Sequence, residues 1–236
     1  MSTHTPPTSP PEIEYPDDDG KPLSDNTLQY EWIVTIKGGL DAVFRDDPHV
    51  FVAGNLLWYP VEGDNRTRQA PDAMVAFGRP KGYRGSYMQW REGGIAPQVA
   101  FEVLSPKNRR GEMERKRNWY FRFGVEEYYE YDPDRVRLRG WIRQGEEAVE
   151  ILPMNGWVSP RLGIRFDLAD DLTIHGPDGR PFETYVEIAR QREEAQRQRE
   201  EIQRQRDEVQ HQRDEAQQRA DRLAARLREL GVNPDE

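Results

Sequence analysis

Pro71-Asp72-Ala73-Met74-Val75-Ala76-Phe77 and Val99-Ala100-Phe101-Glu102-Val103-Leu104-Ser105 decide how this chain folds. Both are short apolar runs, the pattern of strands covered on two faces, and each carries one carboxylate. An unpartnered buried carboxylate is costly, so such a group is paired, protonated or bound to a cation. Alternation along a strand puts Asp72 on the side of Met74 and Ala76, and Glu102 on the side of Ala100 and Leu104. Neighbouring strands lie about 4.8 Å apart, close enough for both carboxylates to converge on a hard divalent ion such as Mg2+, with Mn2+ as a substitute. Lys116, on a helix expected from about Gly111 to Phe123, brings an ammonium, and Glu112 lies one turn earlier on the same face. Metal-assisted phosphodiester hydrolysis needs such a set. The ion activates water and offsets charge on the phosphorane, while the ammonium screens the phosphate or holds the attacking water. Each residue also has an ordinary reading: Asp72 as a polar strand start after Pro71, and Glu112 with Lys116 as a surface pair.

Working outward, a helix is expected from near Thr27, capped by Ser24 or Asp25, with Leu28, Trp32, Ile36, Leu40, Val43 and Phe44 at helical spacing. It ends at Asp46-Asp47-Pro48. Residues 49–53 and 55–59 read as strands around a Gly54 turn, and 78–97 as a long Gly- and Arg-rich loop. Strand 127–131, a hairpin through Asp132-Pro133-Asp134, and strands at 147–152 and 164–168 complete the middle of the chain. The expected class is α/β with a mixed sheet.

Composition separates this middle from the ends. Residues 1–25 hold one Lys against six acids and almost nothing to bury, which predicts a disordered tail. Residues 66–122 hold 13 Lys plus Arg against five acids, so the candidate site lies in the basic part of a chain whose net charge is -9. That sign suits phosphates. Arg79, Lys81, Arg84, Arg91, Lys107, Arg109 and Arg110 are candidate contacts, whereas Trp119, Tyr120 and Tyr128 read as core. No apolar run reaches the roughly 20 residues of a membrane span. The chain has no cysteine, which excludes disulfides and thiolate metal sites, and its four histidines are too scattered for a zinc cluster. A cytoplasmic setting is expected.

From Arg190 a seven-residue repeat takes over: RQREEAQ, RQREEIQ, RQRDEVQ, HQRDEAQ. Ile188, Ala195, Ile202, Val209, Ala216, Leu223 and Leu230 form one apolar line. The second position is Gln191, Gln198, Gln205 and Gln212, or the Arg set one residue later, until Ala220 and Leu227 improve it. A rod of roughly 65 Å is expected over 186–231, as an oligomerising coiled coil in preference to a solitary charged helix.

Ala70-Pro71-Asp72, Phe77-Gly78-Arg79-Pro80-Lys81-Gly82, Arg84-Gly85-Ser86-Tyr87, Ile95-Ala96-Pro97, Phe101–Pro106, Gly124–Tyr129 and Tyr131-Asp132-Pro133 together resemble the Uma-type restriction-endonuclease-like family, a divergent branch of the PD-(D/E)XK nuclease superfamily. The resemblance spans roughly residues 28–170. It implies a restriction-endonuclease-like core over 26–185 with a Mg2+ site, in which Asp72 matches the motif Asp and Glu102 the second acid. The superfamily Lys falls where this chain has Leu104, and the resemblance implies its relocation to Lys116, with Glu112 where the family often has Asp and Glu31 as an upstream acid. The expected function is Mg2+-dependent DNA endonuclease, working as a dimer. The alternative is an inactive nuclease-fold protein serving as a coiled-coil assembly module, and RNA is a lesser substrate option.

Overall fold

The structure is a computed structural model and describes residues 13–18 and 26–229. In chain order the elements are α1 (Thr27–Val43), β1 (Val50–Ala53), β2 (Trp58–Tyr59), β3 (Ala73–Phe77), β4 (Tyr87–Met88), β5 (Val99–Val103), α2 (Arg110–Phe123), β6 (Glu127–Asp132), β7 (Arg137–Gln144), β8 (Glu147–Glu150), β9 (Trp157–Val158), β10 (Arg165–Leu168), β11 (Leu172–His175) and α3 (Tyr185–Glu229). The expected mixed α/β core and long C-terminal helix are both present. Residues 1–184 and 185–236 form separate units.

A six-stranded sheet ordered β1-β3-β5-β6-β7-β8 organises the first unit. Only β5 and β6 pair in parallel within it, and α2 makes the crossover that such a pair requires. The remaining pairs are antiparallel. Strand alternation then writes two faces. Val75, Val99, Phe101, Val103, Tyr129 and Tyr131 face α1 (Ile33, Ile36, Leu40) and the small β9–β11 sheet (Phe166, Leu172, Ile174). Met74, Ala76, Ala100, Tyr128 and Trp141 face α2 (Tyr120, Phe121) together with Trp58 and Tyr87. The central strands are covered on both sides, which is why they read as continuous apolar runs.

Several expectations need correction. Asn26, not Ser24 or Asp25, caps α1: its side-chain oxygen accepts the Gln29 N–H at 2.7 Å. Residues 50–53 and 55–59 do not pair with each other. β1 pairs with β3, and β2 pairs in parallel with β4, because Asn55 N–H bonds the Pro71 carbonyl at 3.1 Å and turns the chain aside. The loop over 78–97 contains β4 and a short turn at Gln89–Glu92, and it is pinned from within. Glu92 accepts from Arg84 Nε at 2.7 Å and Arg79 Nε at 3.0 Å, and the Arg84 guanidinium lies 3.9 Å from the Phe51 ring centre. Arg84, followed by Arg79, holds the Glu92 carboxyl below its ordinary range against the opposing effect of burial.

The disordered-tail expectation fails at residues 13–18, while 1–12 and 19–25 lie outside the described residues. Tyr15 explains the difference. Its ring packs 5.3 Å from Tyr59 and 5.0 Å from Trp90, and its hydroxyl accepts the Gly63 N–H at 2.6 Å.

Candidate active site

Asp72 and Glu102 meet because of strand register. β3 and β5 pair with Ala73 opposite Phe101 and Met74 opposite Ala100, so one step further along the same register Asp72 stands opposite Glu102. Opposed residues in an antiparallel pair project to one side of the sheet. Here that side is the α2 face. Asp72 Oδ2 accepts the Val103 N–H at 2.7 Å, which ties its carboxylate to the chain just past Glu102.

Glu102 is 4% exposed, in the middle of a strand buried at every position. Two groups from α2 satisfy its oxygens. Lys116 Nζ lies 2.6 Å from Oε2, and the Tyr120 hydroxyl donates to Oε1 at 2.6 Å. Residues 116 and 120 are one helical turn apart, so both point from α2 down onto the strand. Burial works to lower the Lys116 pKa, but the charges of Glu102, Asp72 and Glu112 outweigh it and hold the ammonium above its ordinary value. Burial first, then the Glu102 charge, raises the Tyr120 hydroxyl well above its usual range, so it remains a donor.

Asp72, Glu102 and Lys116 are therefore brought together. Glu112 is exposed in the first turn of α2, and only its charge reaches Lys116. Glu31 is exposed on α1; the residue of that helix that reaches the site is Gln29, whose Nε2 donates to the Val103 carbonyl at 2.8 Å.

Sequence reasoning left two residues out of the site. Tyr120 was assigned to the core, where its ring does lie 6.2 Å from Trp58, but its hydroxyl belongs to Glu102. The Lys116–Tyr120 spacing was the available signal. Glu130 is the in-register neighbour of Glu102 on β6 and is 4% exposed. Parallel neighbours in register face the same side, so two buried carboxyls lie side by side. Burial is the main cause that raises the Glu130 pKa, with the Glu102 charge adding to it; Tyr128, Arg139 and Arg117 oppose. The signal for Glu130 was a second acid three residues into a strand otherwise rich in tyrosine.

From Glu130 a cleft of about 760 Å³ opens past the N-terminal half of α2, across β6, β7 and β8. Arg110, Arg117, Arg135, Arg137 and Arg139 line it beside Glu114, Asp132 and Glu150, with Arg135 paired to Asp132 at 2.7 Å and Arg139 to Glu150 at 2.9 Å. Arg117 and Arg139 each sit 4.5 Å from the Trp141 ring centre, so the indole has two guanidiniums against it. Of the expected phosphate contacts, Arg110 lines this cleft. Arg79 and Arg84 are committed to Glu92, and Lys81 donates to the Phe44 carbonyl.

Asp72 and Glu102 supply hard carboxylate oxygens, the type Mg2+ takes. Among the described residues no group of three His, Cys, Asp or Glu side chains forms a metal cage. Asp72 and Glu102 are the two carboxylates that could hold an ion here, and both Glu102 oxygens already accept, from Lys116 and from Tyr120. Among those residues, too, no helix is long and apolar enough to cross a membrane.

Residues 21–175 match the family model Uma2, described as "Putative restriction endonuclease". Among solved structures the chain is similar to one from Anabaena variabilis, described as "a putative nuclease belonging to DUF820", at 16% identity and a TM-score of 0.42, over 61% of this chain and 78% of that one. No curated protein matches the chain.

Proposed function

The chain belongs to the Uma2 family of restriction-endonuclease-like proteins, and from that membership we propose that it is a Mg2+-dependent endonuclease hydrolysing phosphodiester bonds of DNA. The observation that carries this reading is the meeting of Asp72, Glu102 and Lys116 at the end of β5. Asp72 and Glu102 would hold the ion, and Mn2+ suits the same oxygen ligands. When bound, it supplies Lewis acidity toward a phosphoryl oxygen and lowers the pKa of water.

The chain's own groups do the rest. Lys116, held at 2.6 Å from Glu102, acts as the catalytic base or as an electrostatic stabiliser. It faces the negative charge that builds on the phosphoryl oxygens. The Tyr120 hydroxyl and the Val103 N–H orient Glu102 and Asp72. Arg110 and Arg137 of the adjacent cleft contact the backbone phosphates that flank the scissile bond. In this reading two copies joined through α3 cut both strands, in the cytoplasm.

Incubation of purified protein with plasmid, single-stranded DNA and RNA, with and without Mg2+, tests the substrate. Cleavage of DNA only in the presence of the ion is expected. Calorimetric titration with Mg2+ tests the site: binding that Glu102→Gln abolishes supports the nuclease. Absence of both binding and cleavage favours the assembly module, a reading to which the two protein donors already on Glu102 lend weight.

A further inference from the structure

From Arg190 to Leu223 every residue of α3 is exposed in the single chain, the apolar ones included: Ile202 is 50%, Val209 53% and Leu223 66% exposed. Placing Ile188, Ala195, Ile202, Val209, Ala216 and Leu223 at the a positions of a heptad puts Gln191, Gln198, Gln205 and Gln212 at d. The rival frame, with the apolar line at d, buries Arg192, Arg199, Arg206 and Arg213 at a. Burying guanidiniums costs more than burying amides that hydrogen-bond across the seam. Over 188–213 the first frame is therefore the cheaper one; past it Arg219 and Arg226 fall at d, against Ala220 and Leu227 in the other frame.

In that frame the flanking charges are sorted by sign from Glu187 to Glu215. Arg192, Arg199, Arg206 and Arg213 occupy e, and Glu187, Glu194, Glu201 and Glu208 occupy g. Among the described residues these four arginines make no hydrogen bond or ion pair within the chain, whereas Arg190, Arg197 and Arg219 each pair with a Glu one turn away. In a parallel coil each g residue meets the e′ residue of the next heptad. That gives Glu187–Arg192′, Glu194–Arg199′, Glu201–Arg206′ and Glu208–Arg213′, every contact attractive. In an antiparallel coil g meets g′ and e meets e′, so Glu faces Glu and Arg faces Arg.

We propose that the occupant of the α3 surface is a second copy of this chain, joined as a parallel, in-register two-stranded coil, with Glu–Arg pairs between g and e′ setting the orientation. β-Branched residues at a, here Ile188, Ile202 and Val209, favour two strands over three or four. The polar d layers weaken the seam and leave the charges to decide the register. A parallel arrangement brings the two copies of Thr184 to one end of the coil. The inference rests on the reading above that α3 joins two copies, and it adds the orientation.

Because the chain has no cysteine, single substitutions in the full-length protein report the geometry. Gln191→Cys and Gln212→Cys sit near opposite ends of the repeat. Under oxidation each variant is expected to form its own disulfide-linked dimer, and a refolded mixture of the two is expected to give like-with-like products only. Cross-links found only between Gln191→Cys and Gln212→Cys would overturn the orientation. Sedimentation as a monomer at every soluble concentration would overturn the pairing itself, while Mg2+ binding by the same sample would leave the nuclease reading standing. A charge exchange provides a second arm. Arg199→Glu/Arg206→Glu/Arg213→Glu and Glu194→Arg/Glu201→Arg/Glu208→Arg are each expected to dissociate alone and to associate when mixed; failure of the mixture to associate contradicts the proposal.

Discussion

Lys116 is the residue on which the chemistry turns, because its side chain has three carboxylates acting on it and a buried partner at 2.6 Å. Its folded-state pKa lies above its unfolded one. The stability it contributes is therefore present in full below the ordinary lysine range of about 10.4, and is lost only as pH climbs through the folded value. Lys116→Met is expected to lower the cleavage rate about 100-fold, measured in single turnover with Mg2+ present. Tyr120→Phe removes one hydrogen bond from Glu102 and is expected to weaken Mg2+ binding about 10-fold, read by calorimetry, with the stacked ring retained. Glu130 has linkage of the same sign, in the acid range. Its raised pKa means the folded state keeps a proton that the unfolded chain has lost, so stability falls as pH rises from about 4.3 through the folded value. Thermal melts of Glu130→Gln across that window are expected to be flatter than those of the wild type.

At the scale of elements, what was legible followed from period and length. The two quoted strands, α2 and the 127–143 hairpin were readable because their apolar spacing is regular and their ends carry Gly, Pro or Asp. The partner of β1 was not readable, since pairing across the sheet depends on register that no local spacing records. Tyr120 and Glu130 escaped for a related reason. Their roles come from what lies across the sheet or beneath the helix, and each has a local pattern that a core residue shares. Arg79 and Arg84 looked like ligand-binding charges because sequence shows the guanidiniums and hides Glu92, folded back between them. The turn that ends α2 was legible and makes a prediction at this scale. Gly124 sits at φ 118°, and a side chain there would place its Cβ 2.6 Å from that of Ala96. Gly124→Ala is expected to cost about 1–3 kcal/mol, from denaturant unfolding, through backbone strain and overpacking together.

The whole molecule joins two materials with different rules. The first unit buries its sheet on both faces and places two carboxylates and an ammonium where strands end and a helix begins. The second is a solvated repeat whose order lies in charge rather than apolar area. The most direct test of the central claim uses one conservative change in the first unit. Asp72→Asn keeps an oxygen for the Val103 N–H and removes the negative charge. Conversion of supercoiled plasmid to nicked or linear DNA should depend on Mg2+ in the wild type and disappear in Asp72→Asn, with an unchanged melting curve. Undiminished Mg2+-dependent cleavage by Asp72→Asn would contradict the account.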